Sequence, residues 1–219
     1  MLNKTVSTQY IVLRKTPYME SSLIVSGISP THGRIDLIVK GARKISTKAS
    51  PEVDLFRVLN IQFSDRGKSL ISPLVIEYVR DFDKLATKIE ELDRILKLVP
   101  FILNNIHYPV RCQFLYDAII KHLERVLNGE RTYDWLIKLA YIHENGLLPH
   151  NLTISNSPRE EESAQRLIRS LLKYSNGTGE FPKVSEGYLN SFASWLNSFC
   201  SETLNIKDHR FQNTLNSDN

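Results

Sequence analysis

Residues 70–99 read LISPLVIEYVRDFDKLATKIEELDRILKLV, and the period of their apolar positions changes midway. Leu70 to Val79 is a run of Leu, Ile, Val and Tyr of the kind that forms strands. Past Arg80 the apolar positions are Leu85, Ile89, Leu92, Ile95, Leu96 and Val99. Their spacings of 4, 3, 3, 1 and 3 put one stripe on a helix, and Pro100 is read as its end. A segment of strands therefore gives way near residue 80 to a segment of helices.

Upstream, four more stretches read as strands: Gln9–Leu13, Ser22–Ser26, Arg34–Val39 and Val53–Phe63. Turn residues bound them at Thr16-Pro17, at Ser29-Pro30 with Gly33, at Lys40-Gly41, at Ser50-Pro51 and at Asp65-Arg66-Gly67. Five short strands in about 75 residues fit a small closed barrel, either an oligonucleotide-binding (OB) fold or an SH3-like barrel.

Downstream, Arg111–Leu127 and Tyr133–Glu144 read as helices stopped by Asn128-Gly129 and Asn145-Gly146. Ser157-Pro158-Arg159-Glu160 forms a capping box for a helix with the apolar face Ala164, Leu167, Ile168, Leu171 and Leu172, stopped at Asn176-Gly177. A last helix runs from after Ser185 to about Leu204, with Tyr188, Phe192, Trp195, Leu196 and Phe199 as its buried stripe. The expected class is α+β, β then α. The division is a basic barrel over 1–80, a helical domain over 81–206 and a frayed polar tail over 207–219.

Composition bounds the function. The 219 residues leave room for one or two domains, and 42% hydrophobic with 24% charged residues excludes wholesale disorder. The net charge of +4 is unevenly spread: residues 1–80 carry 12 basic and 6 acidic side chains, hence +6, which leaves −2 for 81–219. A polyanion is the natural partner of such a front end. Cys112 and Cys200 are too few for a disulfide framework or a four-ligand zinc site and read as thiols in a reducing compartment. MLNKTVSTQY has no apolar core of signal-peptide length, and no run of about 18 apolar residues occurs, so the expectation is a soluble, cytoplasmic protein with no membrane partner.

No catalytic constellation stands out. The six histidines form no zinc-protease pattern, and no Gly-rich phosphate fingerprint is present. His122 and His143 fall on helical segments and read as surface or satisfied core residues. Glu160-Glu161-Glu162 lies in a first helical turn, where negative charge offsets the dipole. Cys200 has no positioned base beside it. The reading is a protein without enzymatic activity, metal or cofactor.

The sharpest signal is Lys40-Gly41-Ala42-Arg43-Lys44-Ile45-Ser46-Thr47-Lys48, with four cations in nine positions directly after a strand. Backbone N–H groups and cations in such a loop can face a phosphate backbone. With Arg14, Lys15 and Arg34 it makes a cationic strip across one barrel face. Tyr10, Tyr18, Phe56, Phe63 and Tyr78 are the aromatics near it. A barrel this small needs several of them inside, and Tyr18 is the one placed outside.

Taken together these residues resemble RecO, the bacterial recombination mediator family. Ile11-Val12-Leu13-Arg14, Pro17-Tyr18 and Glu20-Ser21 resemble the family's opening; Thr31-His32-Gly33-Arg34 and Val39-Lys40-Gly41-Ala42-Arg43-Lys44 resemble its second signature. Past residue 80 the likeness thins to the helical pattern and Asn145-Gly146-Leu147-Leu148-Pro149. The resemblance implies a five-stranded OB-fold joined to a helical domain. It also implies binding of single- and double-stranded DNA, annealing of complementary strands, and work with RecR to load RecA onto DNA covered by single-strand-binding protein. Many members carry a four-cysteine zinc element. Residues 150–184 hold no cysteine, so no zinc element is expected here. For the acidic tail of single-strand-binding protein, Lys121 and Arg125, one turn apart, are the candidate cations. Two alternatives stay open: a protein-interaction module whose cations only solubilise it, and a single-strand RNA binder.

Overall fold

The computed structural model describes residues 4–43, 53–149 and 158–203. Six strands come first, β1 (Lys4–Tyr18), β2 (Ser22–Ser29), β3 (Gly33–Val39), β4 (Val58–Asp65), β5 (Leu70–Ile71) and β6 (Val75–Arg80). A 3-10 turn at Asp83–Thr87 leads to α1 (Ile89–Asn105), α2 (Gln113–Asn128), α3 (Trp135–Glu144), α4 (Pro158–Ser175) and α5 (Glu186–Thr203).

The six strands form one sheet in the order β5-β3-β2-β1-β4-β6. The expected fifth strand, Leu70–Val79, is two strands with Ser72-Pro73-Leu74 between them. Pro73 has no N–H to give to a ladder and interrupts the run. The two pieces pair at opposite edges: β5 runs parallel to β3, and β6 antiparallel to β4. Three intervening residues reach only about 10–13 Å, so both sheet edges come together and the sheet wraps into a barrel. One broken strand thus closes it.

Other boundaries move as well. Thr16-Pro17 lies inside β1, and the turn falls at Met19–Ser21 instead. Beyond Ile11, β1 pairs with β2 alone, so an edge position tolerates Pro17. Val53–Arg57 is irregular, with Phe56 at φ 58°, and β4 starts at Val58. Helix α1 runs through Pro100 to Asn105. A helical proline costs ~3 kcal/mol, but Phe101, Ile102 and Leu103 are buried beyond it at ~1.5–3 kcal/mol each, which outweighs the break. The stops at Gly129, Gly146 and Gly177 fall where the sequence reading puts them. The Ser157 cap and the 207–219 tail lie outside the described residues.

Two cores result. Inside the barrel, Tyr10, Val12, Val25, Ile35, Leu37, Leu59, Ile61 and Phe63 pack together, and the Tyr10 hydroxyl donates to the Val25 carbonyl at 2.8 Å. On its outside, Ile11, Leu13, Ile28 and Val58 join a second core with all five helices. Gly33 lets the α1–α2 loop pack closely against the start of β3. Its φ is +64°, and a Cβ there would stand 2.4 Å and 2.5 Å from the His107 and Val110 carbonyl oxygens in the α1–α2 loop.

Candidate nucleic-acid interface

Strand register sorts the residues of the barrel's outer face. Directly opposed residues share a face, and Arg14, Ser26 and Asp36 form one such row across β1, β2 and β3. Thr16, Ile24 and Ile38 form the next, and Tyr18 lies opposite Ser22 in the row beyond. Lys40 follows β3 one step past the Leu23–Val39 pair. Arg14, Thr16, Tyr18, Lys40 and Arg43 are exposed on this side. Arg14 and Lys40 make no ion pair among the described residues. Glu20 is the acidic side chain at the hairpin tip.

Alternation along β1 separates Arg14 from Lys15, since successive residues of a strand point to opposite faces. Lys15 faces the Val25–Leu37 row and donates to Asp54 at 2.5 Å. Partial burial works to raise the Asp54 carboxyl, but the hydrogen bonds from Lys15 and the Leu55 N–H outweigh it and hold the group below its ordinary value. Arg34 is likewise engaged, with an ion pair to Asp36 at 3.1 Å and a hydrogen bond to the Leu103 carbonyl at 2.7 Å.

The cationic loop is tied to the hairpin tip. The Arg43 backbone N–H donates to the Ser21 carbonyl at 3.0 Å, and its guanidinium donates to the Met19 carbonyl at 3.2 Å. Gly41 sits at φ +72° with open space where a Cβ would be. Lys44 and Lys48 lie outside the described residues. Of the five candidate aromatics, Tyr10, Phe56 and Phe63 are buried; Tyr18 and Tyr78 are 36% and 47% exposed. The Tyr78 hydroxyl is bonded to Asp81 at 2.5 Å. Sequence reasoning missed Met19, which is exposed at the tip with φ 52°. No local residue pattern marks it.

Residues 1–80 match the family model described as Recombination protein O N terminal. Over 171 residues the chain is 28% identical to the DNA repair protein RecO of Gloeobacter violaceus, a match covering 75% of this chain and 65% of that protein. It is 32% identical over 124 residues to the DNA repair protein RecO of Polynucleobacter asymbioticus, covering 56% of this chain and 42% of the relative. The chain carries the RecO amino-terminal domain over residues 1–80. It covers less than two thirds of the length of either RecO relative. The family match ends at residue 80, the residue at which β6 ends and the chain turns toward the helices.

In the helical part of the chain, beyond the RecO-like barrel, the two candidate partner cations are both engaged. Lys121 donates to Glu124 at 2.7 Å. The Arg125 guanidinium stacks on the Tyr174 ring at 3.6 Å and donates to the Tyr174 carbonyl at 2.6 Å, with only 12% of the side chain exposed. Arg125 thus ties α2 to the end of α4. His122 is buried 3.4 Å from Asp134, its Nε2 without a hydrogen bond, and the His143 ring packs on Phe114 at 4.8 Å. Cys112 and Cys200 are buried, and burial pushes their thiols up to about 12 and about 11. Among the described residues no group of three or more His, Cys, Asp or Glu could hold a metal ion, and no helix is long and apolar enough to cross a membrane.

Proposed function

We propose that this protein is a DNA-binding mediator of recombinational repair. The barrel over 1–80 takes the phosphate backbone, and the helical part over 81–206 takes protein partners. The observation that carries the reading is the pairing of a RecO-type barrel with Arg14, Lys40, Arg43 and Tyr18, all exposed among the described residues on one side of it. Cations neutralise phosphates and release counterions without reading sequence, so any two complementary strands can be held close enough to anneal. An exposed tyrosine stacks on an unpaired base of any identity.

On this reading the ligands are single- and double-stranded DNA. The partners are RecR, the C-terminal tail of single-strand-binding protein and, indirectly, RecA, all at the nucleoid in the cytoplasm. Lys44 and Lys48 extend the cationic loop in sequence. Arg34 and Lys15 hold the barrel in shape beneath it, and the protein works without a cofactor or catalytic residue of its own. Lys121 is the better placed of the two helical cations for an acidic tail, because Arg125 is stacked and largely buried.

The test is fluorescence anisotropy of a labelled single strand titrated at several salt concentrations. Steeply salt-dependent binding is expected, followed by annealing of a complementary strand. Binding that is absent or indifferent to salt removes the DNA role and leaves the protein-interaction reading. Tighter binding of a matched RNA would favour the RNA reading instead.

A further inference from the structure

Met19 occupies a position that suits methionine on neither count that matters at a turn. Its backbone is at φ 52°, where Gly, Asn or Asp is at ease and a longer side chain costs energy. The residue is 73% exposed and its apolar thioether belongs to neither core. An outlier of this kind persists when its surroundings hold it in place. Here Arg43 does so, with its guanidinium on the Met19 carbonyl and its N–H on the Ser21 carbonyl. The same side chain that clamps the tip belongs to the cationic loop, so a phosphate drawn to Lys40 and Arg43 brings its base to the tip.

We infer that Met19 is an apolar wedge that enters between the bases of a single strand bound on this face, with Tyr18 beside it. This rests on the nucleic-acid reading above and adds a base-contacting residue to it. Methionine suits such a role because it is unbranched and polarisable, packs favourably against aromatic rings, and belongs to the set of apolar side chains that unstack base steps. Burial of the exposed thioether against bases supplies the benefit that the folded protein alone does not. Because bases carry no charge, the wedge changes affinity without changing the number of phosphates neutralised.

The experiment uses the full chain and a single strand carrying 2-aminopurine, whose fluorescence rises when it is unstacked. Met19→Gly and Met19→Asn both fit φ 52° and remove the apolar side chain, whereas Met19→Leu keeps it. Gly and Asn variants are expected to melt no lower than wild type, to bind about fivefold more weakly with an unchanged salt slope, and to lose the 2-aminopurine rise. Met19→Leu is expected to retain that rise. Gly and Asn variants that bind with wild-type affinity and fluorescence overturn the wedge and leave the DNA role standing. Wild type that shows no salt-dependent binding overturns the DNA role, and the wedge with it.

Discussion

The guanidinium of Arg34, in β3, caps the C-terminal end of α1 by donating to the Leu103 carbonyl at 2.7 Å. The last carbonyls of a helix lack partners within it, and α1 has no basic residue of its own in its last turn. The barrel supplies one, steadied by Asp36 at 3.1 Å. This cation of the family-like motif therefore joins the two layers.

Arg34→Ala should consequently lower stability by about 1.5–3 kcal/mol, the range for a hydrogen bond to a charged group. The variant's DNA salt slope, taken well below its melting temperature, should equal that of wild type. Urea unfolding paired with anisotropy checks this; an intact protein with a flattened slope would move Arg34 into the interface.

The exposed cations should behave in the opposite way. Lys40→Ala with Arg43→Ala should reduce the magnitude of the salt slope by about 0.7 for each phosphate no longer neutralised. Adding Lys44→Ala extends the test to the rest of the loop. Lys15→Ala should leave the slope unchanged, since its ammonium is already paired with Asp54. An equal effect from Lys15 would refute the division of β1 into two faces.

Two glycines with similar φ separate a packing demand from a conformational one. At Gly33 an added Cβ collides with the His107 and Val110 carbonyl oxygens, so Gly33→Ala should lower the melting temperature severely. At Gly41 the space is open, so Gly41→Ala should cost only the left-handed strain of roughly 1–2 kcal/mol. If the loop backbone approaches phosphate, Gly41→Val should weaken DNA binding beyond its effect on melting. Similar melting temperatures for the two alanine variants would contradict the packing at Gly33.

Alkaline pH should unfold the protein through its thiols. Burial raises the Cys112 thiol to about 12, helped by Glu144, and its Sγ–H donates to the Ser29 carbonyl at 3.3 Å. A group with a raised folded pKa contributes stability that is fully present below its ordinary pKa near 8.5 and lost as pH rises toward the folded value. Stability from this source should hold to about pH 8.5, then fall by up to about 1.4 kcal/mol per pH unit. Cys112→Ala should flatten that limb in urea titrations from pH 8 to 10.5. The same burial should keep both thiols slow toward iodoacetamide at pH 8 until the chain unfolds.

Much was legible because it depends on local spacing. Runs rich in Val, Ile, Leu and Phe between turn residues mark β2, β3 and β4, and the change of period past Arg80 marks the passage from strands to helices. Asn-Gly pairs stop three helices because a glycine there accepts a left-handed backbone that other residues resist. The charge excess of residues 1–80 and the exposure-prone Lys40–Arg43 loop are likewise visible in the sequence, because both are matters of composition and local order.

Tertiary structure decided the rest, because burial and pairing depend on residues far apart in the chain. Pro73 breaks one apolar run, but only the barrel sends its halves to opposite sheet edges. Pro100 reads as a helix stop, but the apolar side chains beyond it find a core that outweighs the break. Composition scores Arg14, Lys15, Arg34 and Arg43 alike; register and partners leave Arg14 in solvent, pair Lys15 with Asp54, turn Arg34 into a helix cap and make Arg43 a clamp on the hairpin tip. A cation's role is set by what stands within about 3 Å of it, and that distance exists only in the folded chain.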